Sequence, residues 1–148
     1  MPYQPKLLSK AQWEVLFQKL ALRPTAAMSD VFWNPNLLKL VMGGEGSGKS
    51  LHGALYALNC LANPNPNVAK PLHYMIVGDS YAECRPEFKY LLEFVNQLGL
   101  LQSKKLPDDK DEPCNLITKT GQEFYTYSAK DPMKISASGV TPHGIIGC

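Results

Sequence analysis

From Gly43 to Ser50 the chain reads Gly-Gly-Glu-Gly-Ser-Gly-Lys-Ser, which fits the phosphate-binding pattern G-x-x-x-x-G-K-S/T. A strand that bends sharply into a helix N-terminus aims several backbone N–H groups at one point. The positive end of the helix dipole lies behind them, so a phosphate chain is held with little help from side chains. Gly43, Gly44, Gly46 and Gly48 permit the close backbone approach that this requires. Glu45 and Ser47 complete the loop. Lys49 is placed to reach the β- and γ-phosphates, and Ser50 to offer its hydroxyl to a divalent cation. The ligands expected from this pattern are ATP and Mg2+, with Gly43 through Ser50 as the binding residues.

The surrounding elements suit that task. The apolar run Leu37–Met42 reads as the strand entering the loop, and Leu51–Leu61 as the helix leaving it. Upstream, a helix is expected from Lys10 to Ala21. Ser9 and Gln12 have capping-box spacing, Trp13, Leu16, Phe17 and Leu20 form an apolar stripe, and Arg23-Pro24 supplies the stop. Ser29–Asn36 reads as loop, and Asn63-Pro64-Asn65-Pro66-Asn67 breaks the helix that follows the glycine-rich segment. A second strand is expected at Leu72–Val77, then a turn through Gly78-Asp79-Ser80. The next helix starts near Arg85 or Pro86, buries Phe88, Leu91, Leu92, Val95 and Leu98, and stops at Gly99. Lys104–Pro113 reads as an exposed loop, Cys114–Thr118 and Glu123–Tyr127 as a hairpin, and Ser128–Pro142 as irregular. Gly144–Cys148 has the character of another buried strand.

This order predicts an α/β fold, a P-loop NTPase with a mainly parallel sheet flanked by helices and incomplete at its C-terminus. Residues 1–36 would form an N-terminal helix and lead-in. Residues 37–148 would form the core, ending in a Walker B strand. A chain of 148 residues with 45% hydrophobic and 19% charged residues can bury a real core, and a net charge of +2 marks no dedicated nucleic-acid face. The four cysteines lie 24 to 34 residues apart without a C-x-x-C, which disfavours a zinc site or a secreted disulfide framework. No apolar stretch approaches the length of a membrane span.

The layout resembles the ATPase half of the large terminase subunit of tailed bacteriophages. Three segments carry the resemblance. The loop Gly43–Ser50 is similar to that family's G-G-R-G-S-G-K-S. Met75-Ile76-Val77-Gly78 through Arg85 to Leu100 resembles its second strand, short turn and long helix ending in L-G-L. Gly121–Tyr127 followed by Asp131-Pro132-Met133-Lys134-Ile135 resembles its hairpin and following loop.

The resemblance implies an ATP hydrolase that drives double-stranded DNA into a procapsid. It also implies a portal and a small terminase subunit as partners, a homo-oligomeric ring during packaging, and the host cell cytoplasm as location. A water-positioning carboxylate would follow Cys148, because Asp79 reads better as a turn residue capping the next helix. The 148-residue chain alone is therefore expected to be inactive.

Glu45 stands where the family usually has an arginine that contacts phosphate, so it cannot inherit that role. With Arg23 the other arginine, Arg85 is the candidate charge-stabilising residue, lying just past the second strand at the edge where open α/β sheets bind nucleotides. A surface arginine starting a helix, or an arginine from a neighbouring subunit, are the alternatives. The family reads adenine with a Gln or aromatic residue upstream. Gln12 is the candidate here, with Gln4, Phe32 and Trp33 beside it, although Gln12 is equally explained by the capping box. Two other functions stay open: a helicase- or recombinase-like P-loop ATPase, and a nucleotide-binding switch without hydrolysis.

Overall fold

A computed structural model describes residues 9–26, 29, 42, 46–62, 69–139 and 142–148. The strand expected at Leu37–Met42, apart from Met42, lies outside the described residues. So do Gly43, Gly44 and Glu45, the break at 63–67, and Gln4, Phe32 and Trp33.

Helix α1 (Lys10–Lys19) opens on the anticipated capping box: Gln12 N–H donates to Ser9 Oγ at 3.3 Å, and Ser9 N–H to Gln12 Oε1 at 2.9 Å. It ends before the Arg23-Pro24 stop. Ala21 turns left-handed at φ 52°, and the N–H groups of Ala21 and Leu22 return to the carbonyls of Gln18 and Phe17. This is a Schellman closure with alanine where glycine is usual. Helix α2 (Lys49–Ala62) buries Ala54, Leu55, Ala57, Leu58 and Leu61.

Strand β1 (Leu72–Gly78) leads to α3 (Tyr81–Gln97), which starts four residues ahead of the expected Arg85. Ser80 is the cap, its Oγ accepting from Glu83 N–H at 3.4 Å. Tyr81 and Cys84 then share the buried face of Phe88, which offsets the cost of Pro86 inside the helix. Gly99, at φ +69°, closes α3 with the hydrogen bonds Gly99 N–H to Asn96 O and Leu100 N–H to Val95 O.

Strand β2 (Leu101–Lys105) occupies residues expected in part as loop. Strands β3 (Asn115–Thr118) and β4 (Gln122–Ser128) form the expected hairpin. A six-residue helix α4 (Pro132–Ala137) lies within the stretch read as irregular and buries none of its side chains, and β5 (Gly144–Gly147) follows.

The described strands form one sheet in the order β2-β3-β4-β1-β5. Its centre is parallel, with β1 between β4 and β5, while β2, β3 and β4 pair antiparallel. The described part of the sheet is thus mixed, parallel in its core as expected, with β2 and β3 returning by short connections instead of crossover helices. Leu72, Tyr74 and Ile76 of β1, Leu116 of β3, Phe124 of β4 and Ile146 of β5 share one face and form a core with Trp13, Phe17, Leu55, Leu58, Phe88 and Leu91 from the helices. Tyr74 and Phe124 stack across the β1–β4 register at 4.9 Å between ring centroids. Among the described residues no helix is long and apolar enough to cross a membrane.

Candidate nucleotide-binding site

The glycine-rich segment turns directly into α2. Gly46 and Gly48 have φ of +74° and +81°, left-handed backbone that any Cβ makes costly. Among the described residues, a Cβ on Gly46 would meet nothing within 4 Å, and one on Gly48 only His52 Nδ1 at 4.0 Å. The demand for glycine here comes from the backbone angle.

His52 N–H donates to Gly48 O at 3.0 Å, and the His52 ring donates from Nδ1 to the same carbonyl at 2.8 Å. The buried imidazole therefore latches the last loop glycine onto the first turn of α2. The first N–H groups of a helix have no intrahelical acceptor. Lys49 is exposed there and Ser50 is half-buried. The sequence assigned His52 no role, and only its position four residues after Gly48 hints at the latch.

At the carboxyl end of β1, Ser128 Oγ donates to Asp79 O at 2.8 Å, which ties the ends of β1 and β4 together. Asp79 does not cap α3. Its carboxylate pairs with Lys130 at 2.7 Å in solvent, and the hydrogen bond to Asp79 holds the Lys130 ammonium above its ordinary pKa.

Arg85 is neither at the helix start nor on the surface. It is buried in the second turn of α3, with Nη1 donating to Pro107 O at 2.8 Å and Nη2 to Asp109 O. The guanidinium thereby ties α3 to the connection between β2 and β3, a structural use of the donors that phosphate would need.

Gln12 lies with Ala11, Val15, Leu16 and Ala62 around an open apolar depression at the C-terminal end of α2. With a rise of 1.5 Å per residue, that end is about 20 Å from Lys49. Its side-chain oxygen already accepts from Ser9 N–H. An adenine contact from Gln12 to a nucleotide held at Lys49 does not fit this placement.

One buried carboxylate escaped the sequence reading. Glu87 lies on α3 between Arg85 and Lys89, and nothing in that charge pattern marks it as internal. It is only 7% exposed, and its Oε2 has no hydrogen-bond partner. The Cys148 thiol turns toward Cys84 and Glu87. The hydrogen bond to Cys84 raises its pKa most, followed by burial and the Glu87 charge.

No family model matches the chain, and no curated protein sequence matches it. Solved structures do. The large terminase ATPase domain of a Thermus phage superposes with a TM-score of 0.63 over 98% of this chain at 16% identity, and a variant of it with one arginine changed to alanine gives the same values. The chain has the fold of a phage large terminase ATPase domain. It spans 58% of the length of those domains. The terminase resemblance carried by residues 37–148 thus extends to the three-dimensional arrangement of the described elements.

Proposed function

We propose that this chain is the nucleotide-binding ATPase segment of a phage large terminase subunit, in which ATP hydrolysis drives double-stranded DNA into a procapsid. The observation that carries the reading is the pair of left-handed glycines, Gly46 and Gly48, set immediately ahead of Lys49 at the start of α2 in a chain with a terminase ATPase fold.

The residues present fit Mg2+-bound ATP. The segment Gly43–Ser50 supplies backbone donors at a helix N-terminus, where anions are favoured. Lys49 neutralises charge on the β- and γ-phosphates, and the Ser50 hydroxyl is the ligand for the cation. The metal-bound triphosphate, when held there, supplies a phosphoryl group activated toward attack by water. Arg85 and Gln12 take no part in this reading, because both Arg85 Nη groups donate to the carbonyls of Pro107 and Asp109 and Gln12 sits at the far end of α2 with its oxygen on Ser9 N–H. The charge-stabilising arginine then comes from a neighbouring subunit of a homo-oligomeric ring. Double-stranded DNA, a portal and a small terminase subunit are the partners of that assembly, and the host cell cytoplasm is its place.

Turnover of ATP by the full-length protein in Mg2+ is the experiment. Lys49→Ala is expected to lower it by at least about a hundredfold with the circular dichroism spectrum unchanged. Full turnover in that variant sinks the reading. The 148-residue chain alone is expected to bind nucleotide weakly and turn over little, and brisk Lys49-dependent hydrolysis by it would overturn that part.

A further inference from the structure

Glu87 occupies a position that the roles above leave unexplained. Taking a carboxylate out of water costs several kcal/mol unless donors or a cation compensate, so buried ones are normally paired. The ion pairs among the described residues join other groups, and Glu87 Oε2 accepts no hydrogen bond. The Cys148 thiol hydrogen-bonds the Glu87 side chain, and the Cys84 thiol lies near it while donating to backbone carbonyls; thiols are weak donors.

Its surroundings locate the side chain. A Cβ on Gly53 would lie 3.3 Å from Glu87 Cγ and 3.1 Å from Ile146 Cγ2, so α2, α3 and β5 converge at that glycine. On α2, Ser50 and Lys49 precede Gly53 by three and four residues, which places all three on one helical face. Side chains on a helix lean toward its N-terminus, so those of Ser50 and Lys49 rise from this face toward the mouth of the loop. Cys148, which meets Glu87, extends β5, and its N–H donates to Val77 O at 2.8 Å at the carboxyl end of β1. Open α/β sheets bind ligands beyond that edge. The Glu87 side chain therefore meets α2 at Gly53, about one helical turn from Ser50 on the face that bears the two loop residues. Among the described residues no three His, Cys, Asp or Glu side chains are grouped to hold a metal.

We propose that Glu87 is a positioning residue of the nucleotide site, whose unpartnered oxygen accepts a hydrogen bond from a water of the Mg2+ shell beside Ser50. The inference rests on the ATPase reading above and adds to it a carboxylate within this chain. Gly53 belongs to the same device, because the missing Cβ lets the Glu87 side chain approach α2. The device also gives the buried Oε2, which has no donor within the protein, the donors that arrive with the hydrated cation.

The experiment is a Mg2+ titration of fluorescent ATP-analogue binding to the full-length protein, run beside thermal melts without nucleotide. Glu87→Gln is expected to raise the half-saturating Mg2+ concentration about tenfold, the scale seen for groups that orient metal ligands through a second shell. Its nucleotide-free melting temperature stays level or rises, since Oε2 has no protein donor to lose. Gly53→Ala, which presses a methyl group on the Glu87 side chain, raises the Mg2+ requirement in the same direction and by less. An unchanged Mg2+ half-point in Glu87→Gln, or collapse of its fold, overturns the assignment and makes the carboxylate structural. If Lys49→Ala loses binding while Glu87→Gln keeps the wild-type Mg2+ response, only the Glu87 inference fails. If the wild-type protein binds no Mg2+-ATP, the nucleotide reading fails with it.

Discussion

Gly48 and Lys49 adjoin in sequence but answer different demands, one on the backbone and one on charge. Alanine at Gly48 must hold a φ of +81°, which costs roughly 1–2 kcal/mol for an L-residue. A melt of Gly48→Ala should show that modest loss of stability, while nucleotide affinity, measured by titration, falls much further because the loop amides are re-aimed. A second residue-scale prediction concerns alkali. Tyr125 donates to Glu123 Oε2 at 3.0 Å, and burial, then that hydrogen bond, push its phenol up to about 12 from the ordinary 10. The folded state thus holds the proton more tightly than the unfolded one. The resulting stability is complete below pH 10 and disappears as pH rises through 12. Tyr125→Phe should flatten the fall in stability between those limits in denaturant titrations. The phosphate loop was legible residue by residue because its chemistry is packed into eight consecutive positions. His52 and Glu87 were not, because their roles arise from a carbonyl one turn away and from two elements distant in sequence.

At the level of elements, the signals that are local in sequence were the readable ones. The Ser9–Gln12 capping box, the Gly99 stop and the β3–β4 hairpin each involve groups a few residues apart, and each is present. Strand β2 was hidden because it is an edge strand whose four residues after Leu101 are all exposed, with Lys104 and Lys105 at its end, so no apolar alternation marks it. The start of α3 was misplaced because Pro86 suggested a first turn, whereas the Ser80 cap and burial of Tyr81 and Cys84 extend the helix upstream. Two variants weigh these ends. Ser80→Ala should cost about 1 kcal/mol in chemical denaturation by leaving Glu83 N–H without its acceptor. Ala21→Gly should gain up to about 1 kcal/mol, since glycine accepts the left-handed closure of α1 without strain.

For the whole molecule, the core runs without interruption from Trp13 on α1 through the helices to Leu116 and Phe124 in the sheet. Phe124 is fully buried on β4 against Tyr74, and Phe124→Ala should cost about 3–5 kcal/mol in urea unfolding, enough to threaten the fold. The parallel centre of the sheet was legible in the apolar run of β1, but its order was not. Which strand flanks β1 is decided by non-local pairing, and the sequence shows only that candidates exist.

The six residues of α4 contrast with that core. They cross from β4 to β5 with no side chain buried and no side-chain cap at Asp131. A segment so lightly attached opens without disturbing its neighbours. Brief digestion with trypsin should therefore nick the chain at Lys134 before any site within α3. The two pieces should then migrate together on a sizing column, because β4 and β5 each remain laddered to β1.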